Sequence, residues 1–90
     1  MHVDQLSTFG LAIRMDIRRR LGLNIKKLRE AKGLSQEEFG FKADIHRTYI
    51  SDVERGSRNP TISVVEKFAN ALNVSPGFLL DADPKKTNKK

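Results

Sequence analysis

Leu34-Ser35-Gln36-Glu37-Glu38-Phe39-Gly40-Phe41-Lys42-Ala43-Asp44-Ile45-His46-Arg47-Thr48-Tyr49-Ile50-Ser51-Asp52-Val53-Glu54 is the stretch on which the fold turns. It opens with a capping box. Ser35 can accept from the third helical amide, and Glu38 can reach back to the Ser35 amide. Phe39 and Ala43, four apart, give the first helix an inward side, and Asp44 interrupts the pattern after about two turns. Aspartate tolerates a positive φ better than most residues, so Asp44 suits a tight corner. Gly40 stands where a short helix would otherwise prefer alanine, as a close crossing requires. Ile45 is the apolar plug of the corner. A second helix, His46 to Glu54, follows with Ile50 and Val53 inward.

Outward from this pair, Leu21, Ile25 and Leu28 recur at helical spacing among Lys26, Lys27, Arg29 and Glu30, so a first helix runs to Lys32 and Gly33 caps it. Arg55-Gly56-Ser57-Arg58-Asn59-Pro60 reads as a loop. Thr61 then caps a helix that buries Ile62, Val65, Phe68, Ala69 and Leu72 and ends at Asn73. Ser75-Pro76 starts a short last helix through Phe78, Leu79 and Leu80. The fold class is all-α: a compact five-helix domain over residues 21–81, with a leader at 1–20 and a basic, disordered tail at 82–90. In the leader Leu6, Phe9, Ile13 and Ile17 keep helical spacing with Leu21, while Gly10 and Gly22 each cost about 1 kcal/mol inside a helix. An extended first helix from near Ser7 and a loose leader both fit.

The chain has 90 residues, 38% of them hydrophobic, which suits one small domain. It contains no cysteine, so the core must hold the fold without disulfides or thiolate metal sites, and a reducing cytoplasm is the expected compartment. No apolar run approaches the roughly 18 residues of a membrane span. Seventeen Lys and Arg against eleven Asp and Glu leave +6, a balance that favours a polyanionic partner. Part of this excess, Lys85, Lys86, Lys89 and Lys90, belongs to the tail. No cluster of carboxylate, histidine and nucleophile suggests an enzyme. With only His2 and His46 present, no metal site is expected, and no cofactor.

With Phe39, Ala43, Ile45, Ile50 and Val53 turned inward, the His46–Glu54 helix presents His46, Arg47, Thr48, Tyr49, Ser51 and Asp52 outward, groups that suit base edges or phosphates. From Leu34 to Gly56 the sequence resembles the Cro and phage-repressor type of helix-turn-helix, a lambda-repressor-like fold, and the resemblance extends from about Leu21 to Leu80. Within that type, His46-Arg47-Thr48-Tyr49-Ile50-Ser51 followed by Glu54-Arg55-Gly56-Ser57-Arg58-Asn59 is similar to the controller proteins of restriction-modification systems.

The resemblance implies a transcriptional regulator that reads double-stranded DNA. Arg47, Thr48, Ser51 and Asp52 match its base readers, where arginine forks onto guanine and threonine offers its methyl to thymine. Gln36, His46, Tyr49, Arg55, Ser57, Arg58 and Asn59 match positions on the DNA backbone or on the loop beside it. Asp52 would be repelled by phosphates unless it accepts from a cytosine amine or pairs with Arg55, and the pairing is favoured here. Arg29 and Glu54 match a partly buried ion pair that ties the first helix to the end of the recognition helix. Two positions depart from the pattern: His46 stands where the family often has a serine N-cap, leaving a weaker cap or one supplied by Asp44, and Phe41 occupies a usually polar position.

One recognition helix reads few base pairs, so a homodimer on two half-sites about 34 Å apart is expected. Val64, Val74, Phe78 and Leu79 are the candidate interface residues. The controller resemblance further implies a tetramer on tandem sites, RNA polymerase as a partner, activation at low occupancy and repression at high. A phage or plasmid repressor, an antitoxin, and a protein- or RNA-interaction module on the same fold remain as alternatives.

Overall fold

A computed structural model describes residues 16–82; the expectations for the rest of the leader and for most of the tail lie outside them. The described residues form five helices: α1 (Ile17–Ala31), α2 (Gln36–Ala43), α3 (Arg47–Glu54), α4 (Ile62–Leu72) and α5 (Pro76–Leu80). The all-α expectation holds.

Side chains set where the helices begin, because the first amides of each have no intrahelical acceptor. The expected capping box is formed: Glu38 N donates to Ser35 Oγ at 3.0 Å and Ser35 N to Glu38 Oε1 at 2.8 Å. Thr61 and Ser75 cap α4 and α5 in the same manner, accepting from Val64 N and Phe78 N at 3.2 and 3.1 Å. Asp16 caps α1 with ψ at 134°, so this helix starts at Ile17, earlier than Leu21; the expectation of a helix from near Ser7 falls on residues outside the described ones. At the other ends, Asp44 and Asn73 adopt left-handed φ of 60° and 64°. The corner between α2 and α3 is thus the one expected of Asp44.

The core is one cluster in which Leu21 and Ile25 of α1 meet Phe39, Ala43, Ile50 and Val53 of the helix pair and Val65, Phe68, Ala69, Leu72 and Leu79 behind them. Phe39 and Phe68 stack with ring centroids 5.8 Å apart. α1 crosses the end of α3 at Gly22, where a Cβ would overlap the Val53 carbonyl oxygen and lie 2.8 Å from that of Glu54. The glycine that weakens α1 as an isolated helix is therefore what lets α1 dock on the recognition helix. Gly40 serves a similar crossing at the corner, its absent Cβ lying 2.6 Å from the Ile45 carbonyl oxygen.

Two expectations fail. Ile62 keeps the helical stripe of α4, but it lies in the first turn, ahead of the stretch the other helices cover, and is 85% exposed. Leu79 and Phe78, expected at a dimer surface, are buried within the monomer at 0% and 6% exposure, because α5 turns its apolar side onto α1 and α4. Val64 and Val74 are half-buried against the core. The docking of α5 also uses a buried polar group: Asn24 Nδ2 donates to the carbonyls of Leu79 at 2.7 Å and Asp81 at 3.0 Å, supplying donors that a five-residue helix cannot provide for itself.

Candidate nucleic-acid interface

The inward face of α3 is closed, with Ile50 and Val53 both fully buried. Its opposite face carries His46, Arg47 and Thr48 exposed and Tyr49, Ser51 and Asp52 half-buried. The helix is eight residues long and begins on the side chain of its own N-cap: His46 Nδ1 accepts from Thr48 N at 3.0 Å. The alternative cap, Asp44, is instead the left-handed residue that ends α2. With Nδ1 occupied as acceptor, the neutral ring carries its proton on Nε2, leaving a donor at the start of the recognition helix.

Downstream, one carboxylate gathers the loop onto the helix. Asp52 Oδ1 accepts from Arg55 Nη2 at 2.6 Å and its Oδ2 from Arg58 Nε at 3.3 Å, while its backbone carbonyl accepts from Ser57 Oγ at 3.1 Å. Arg55 Nη1 also donates to Ser51 Oγ at 2.7 Å. The Arg58 guanidinium lies 5.0 Å from the centre of the Tyr49 ring, a cation–π distance. The geometry of Asp52 is thus that of pairing, with Arg55 as expected and with Arg58 as well. Ser51, Tyr49, Arg55, Ser57 and Arg58 come together around it, whereas Arg47 and Thr48 project from the first turn and Asn59 from the loop.

Behind this face sits a buried network. Arg29 Nε and Nη2 donate to Glu54 Oε2 and Oε1 at 2.6 and 3.0 Å, and Nη1 donates to the Leu34 carbonyl at 2.8 Å. Hydrogen bonding to Glu54 holds the Arg29 guanidinium above its usual pKa, against the effect of burial. Gln36 joins in, its Nε2 donating to Glu54 Oε1 at 3.0 Å. One amide hydrogen of this candidate phosphate contact therefore points inward, which fixes the side chain at the start of α2 and leaves the other hydrogen free. α1, α2 and α3 are tied at one point, so the polar face keeps a set angle to the core.

Sequence reasoning missed two residues that support this arrangement. Asn24 falls in the apolar register of α1 beside Leu21, Ile25 and Leu28, a polar residue in a buried stripe, which was the signal for its role. Lys67 Nζ donates to the Asp44 carbonyl at 3.3 Å and steadies the corner from α4; no local pattern announced that. Among the described residues no three His, Cys, Asp or Glu side chains group as a metal site would need. None of the described helices is long and apolar enough to cross a membrane.

Residues 25–79 match the helix-turn-helix family model. The chain belongs to the helix-turn-helix family. Over 67 residues it is 46% identical to the control protein C.BamHI of Bacillus amyloliquefaciens, a match spanning 73% of this chain and 83% of that one. Its fold is similar to that of a hypothetical transcription factor from Neisseria, with a TM-score of 0.74 and 37% identity over 83% of this chain and 86% of the other. It is also similar to the restriction-modification controller protein C.Esp1396I, solved as a tetramer with its natural 35-base-pair operator: TM-score 0.65, 40% identity, 70% of this chain and 83% of that one. The resemblance drawn from the motif residues is therefore the correct one, down to the controller proteins.

Proposed function

We propose that this family member is a sequence-specific, double-stranded-DNA-binding transcriptional regulator that controls a restriction-modification system. The observation that carries the reading is the two-sidedness of α3: Ile50 and Val53 are locked in the core while His46, Arg47 and Thr48 stand exposed on the other side. Arg47 and Thr48 read base edges in the major groove, with Ser51 beside them. His46, Gln36, Tyr49, Arg55, Ser57, Arg58 and Asn59 lie along the flanking backbone. The regulator acts as a homodimer on pseudo-palindromic half-sites, and pairs of dimers occupy tandem sites where RNA polymerase is engaged or excluded. The tetramer that C.Esp1396I forms on its operator supports this assembly. The protein works by occupancy, without catalysis or cofactor, in the cytoplasm.

Selection of bound duplexes from a random pool tests the reading. Enrichment of two related half-sites is the expected result. Arg47→Ala should then cost about 1–3 kcal/mol and relax preference at one base pair per half-site. Enrichment of no sequence at all, or tighter binding of a single-stranded RNA competitor than of any selected duplex, refutes it.

A further inference from the structure

α1 begins with three consecutive arginines whose surroundings differ. Arg18 is bound at both ends of its guanidinium by Asp16, Nε to Oδ1 at 3.1 Å and Nη2 to Oδ2 at 2.8 Å. Arg20 is half-buried and donates through Nη1 to the Leu80 carbonyl at 3.1 Å, which binds it to the end of α5. Arg19 is exposed, and among the described residues it has neither an ion pair nor a hydrogen bond from its guanidinium. All three lie ahead of the residues that match the family model, which begin at Ile25.

The position of Arg19 is set by the turn that follows the recognition helix. Gly56 has a φ of +81°, and a Cβ there would lie 3.1 Å from Arg19 Cα and 3.4 Å from Arg19 Cβ. The turn thus packs its bare face on the backbone of α1 at Arg19. Gly22, one turn further along α1, makes the corresponding close approach to the last residues of α3. Two glycines therefore bring the first turn of α1 against the end of the recognition helix, and Arg19 Cα and Cβ lie against Gly56, the residue between Arg55 and Ser57. The carboxylates nearby are already engaged, Asp16 by Arg18 and Asp52 by Arg55 and Arg58. What remains at this edge, among the described residues, is an unneutralised cation next to the loop proposed to meet the DNA backbone.

We propose that Arg19 is a further phosphate contact, through which the first turn of α1 extends the footprint of each protomer along the DNA backbone beyond the helix-turn-helix. The inference rests on the proposed function, and the ligand is the duplex phosphate rail, recognised without regard to base sequence. An exposed guanidinium at a backbone position contributes by releasing condensed counterions, so its signature is in the salt dependence of binding.

The test measures fluorescence anisotropy of the full chain on its selected duplex between 50 and 200 mM salt, for wild type, Arg19→Ala, Arg19→Lys and Arg19→Glu. Each phosphate contact contributes about 0.9 to the slope of log K against log salt, so a dimer of Arg19→Ala loses about 1.8. Across that fourfold range the wild type then loses about 12-fold more affinity than the variant. Arg19→Lys keeps the slope, Arg19→Glu weakens binding further, and the preferred bases are the same for all. An unchanged slope in Arg19→Ala, or a changed base preference, overturns the inference while leaving the function standing. Failure of the wild type to bind any duplex overturns both.

Discussion

Removing Arg29 should unfold this domain more effectively than any change on its polar face. The Glu54 side chain is only 4% exposed, and Arg29 supplies two of its three hydrogen bonds, at 2.6 and 3.0 Å. Arg29→Ala leaves Gln36 Nε2 as the sole donor to a buried carboxylate and takes the 2.8 Å donor from the Leu34 carbonyl. Breaking one side of such a pair costs about 3–5 kcal/mol, because the remaining charge is buried without compensation. Domains of this size have roughly 5–15 kcal/mol in total and shift by about 4–8 °C per kcal/mol, so the midpoint should fall by at least about 12 °C. The double variant Arg29→Met/Glu54→Leu removes both charges at similar volume and should lie within about 2 kcal/mol of wild type. Urea and thermal unfolding followed by circular dichroism give all the required values. If Arg29→Ala costs under about 1 kcal/mol, as an exposed pair would, or if the double variant is as unstable as the singles, the network is not what fixes α3 on α1.

Two other perturbations test the same architecture. Gly22→Ala should destabilise by about 1–3 kcal/mol, the usual cost of overpacking, although helix propensity alone predicts a gain of about 1 kcal/mol; the sign from urea denaturation decides between them. For Asp16, hydrogen bonds from the Arg18 side chain and amide lower the carboxyl pKa from 3.8 to about 2. A group depressed in the folded state contributes stability that is complete above pH 3.8 and is lost as pH falls through about 2, so the start of α1 should loosen only in strong acid. A carbon-13 titration of Asp16 gives the midpoint; Arg18→Ala should return it toward 3.8, and an unmoved midpoint would contradict the pairing.

The helix pair was legible in the sequence because its determinants are local. The Ser35–Glu38 box, the left-handed Asp44 and the inward pair Ile50 and Val53 each follow from a few neighbouring residues. Periodicity gives the direction a side chain takes but not what lies over it. Ile62 is in register yet uncovered, and Leu79 is covered by α1 and α4 from distant parts of the chain. Gly22 showed its helix-weakening cost but not the carbonyls it approaches. On the candidate site, the bond between Asp52 and Arg55 was visible as a one-turn spacing. The bond to Arg58 was not, since it depends on how the loop folds back toward Tyr49.

The gathering of Arg55 and Arg58 by Asp52 has a consequence for how the surface meets a partner. A free arginine side chain gives up as much as about 1.5–2 kcal/mol of rotational freedom when it is immobilised. Here much of that loss occurs during folding, so encounter freezes fewer motions and less of the contact energy is cancelled. The same anchoring limits travel: both guanidinium groups are held to the Asp52 carboxylate, Arg55 also by Ser51 and Arg58 also by the Tyr49 ring. For the proposed DNA contact this means that a duplex has to bring its backbone to those positions, so binding would respond to its curvature and groove width as well as to its base edges.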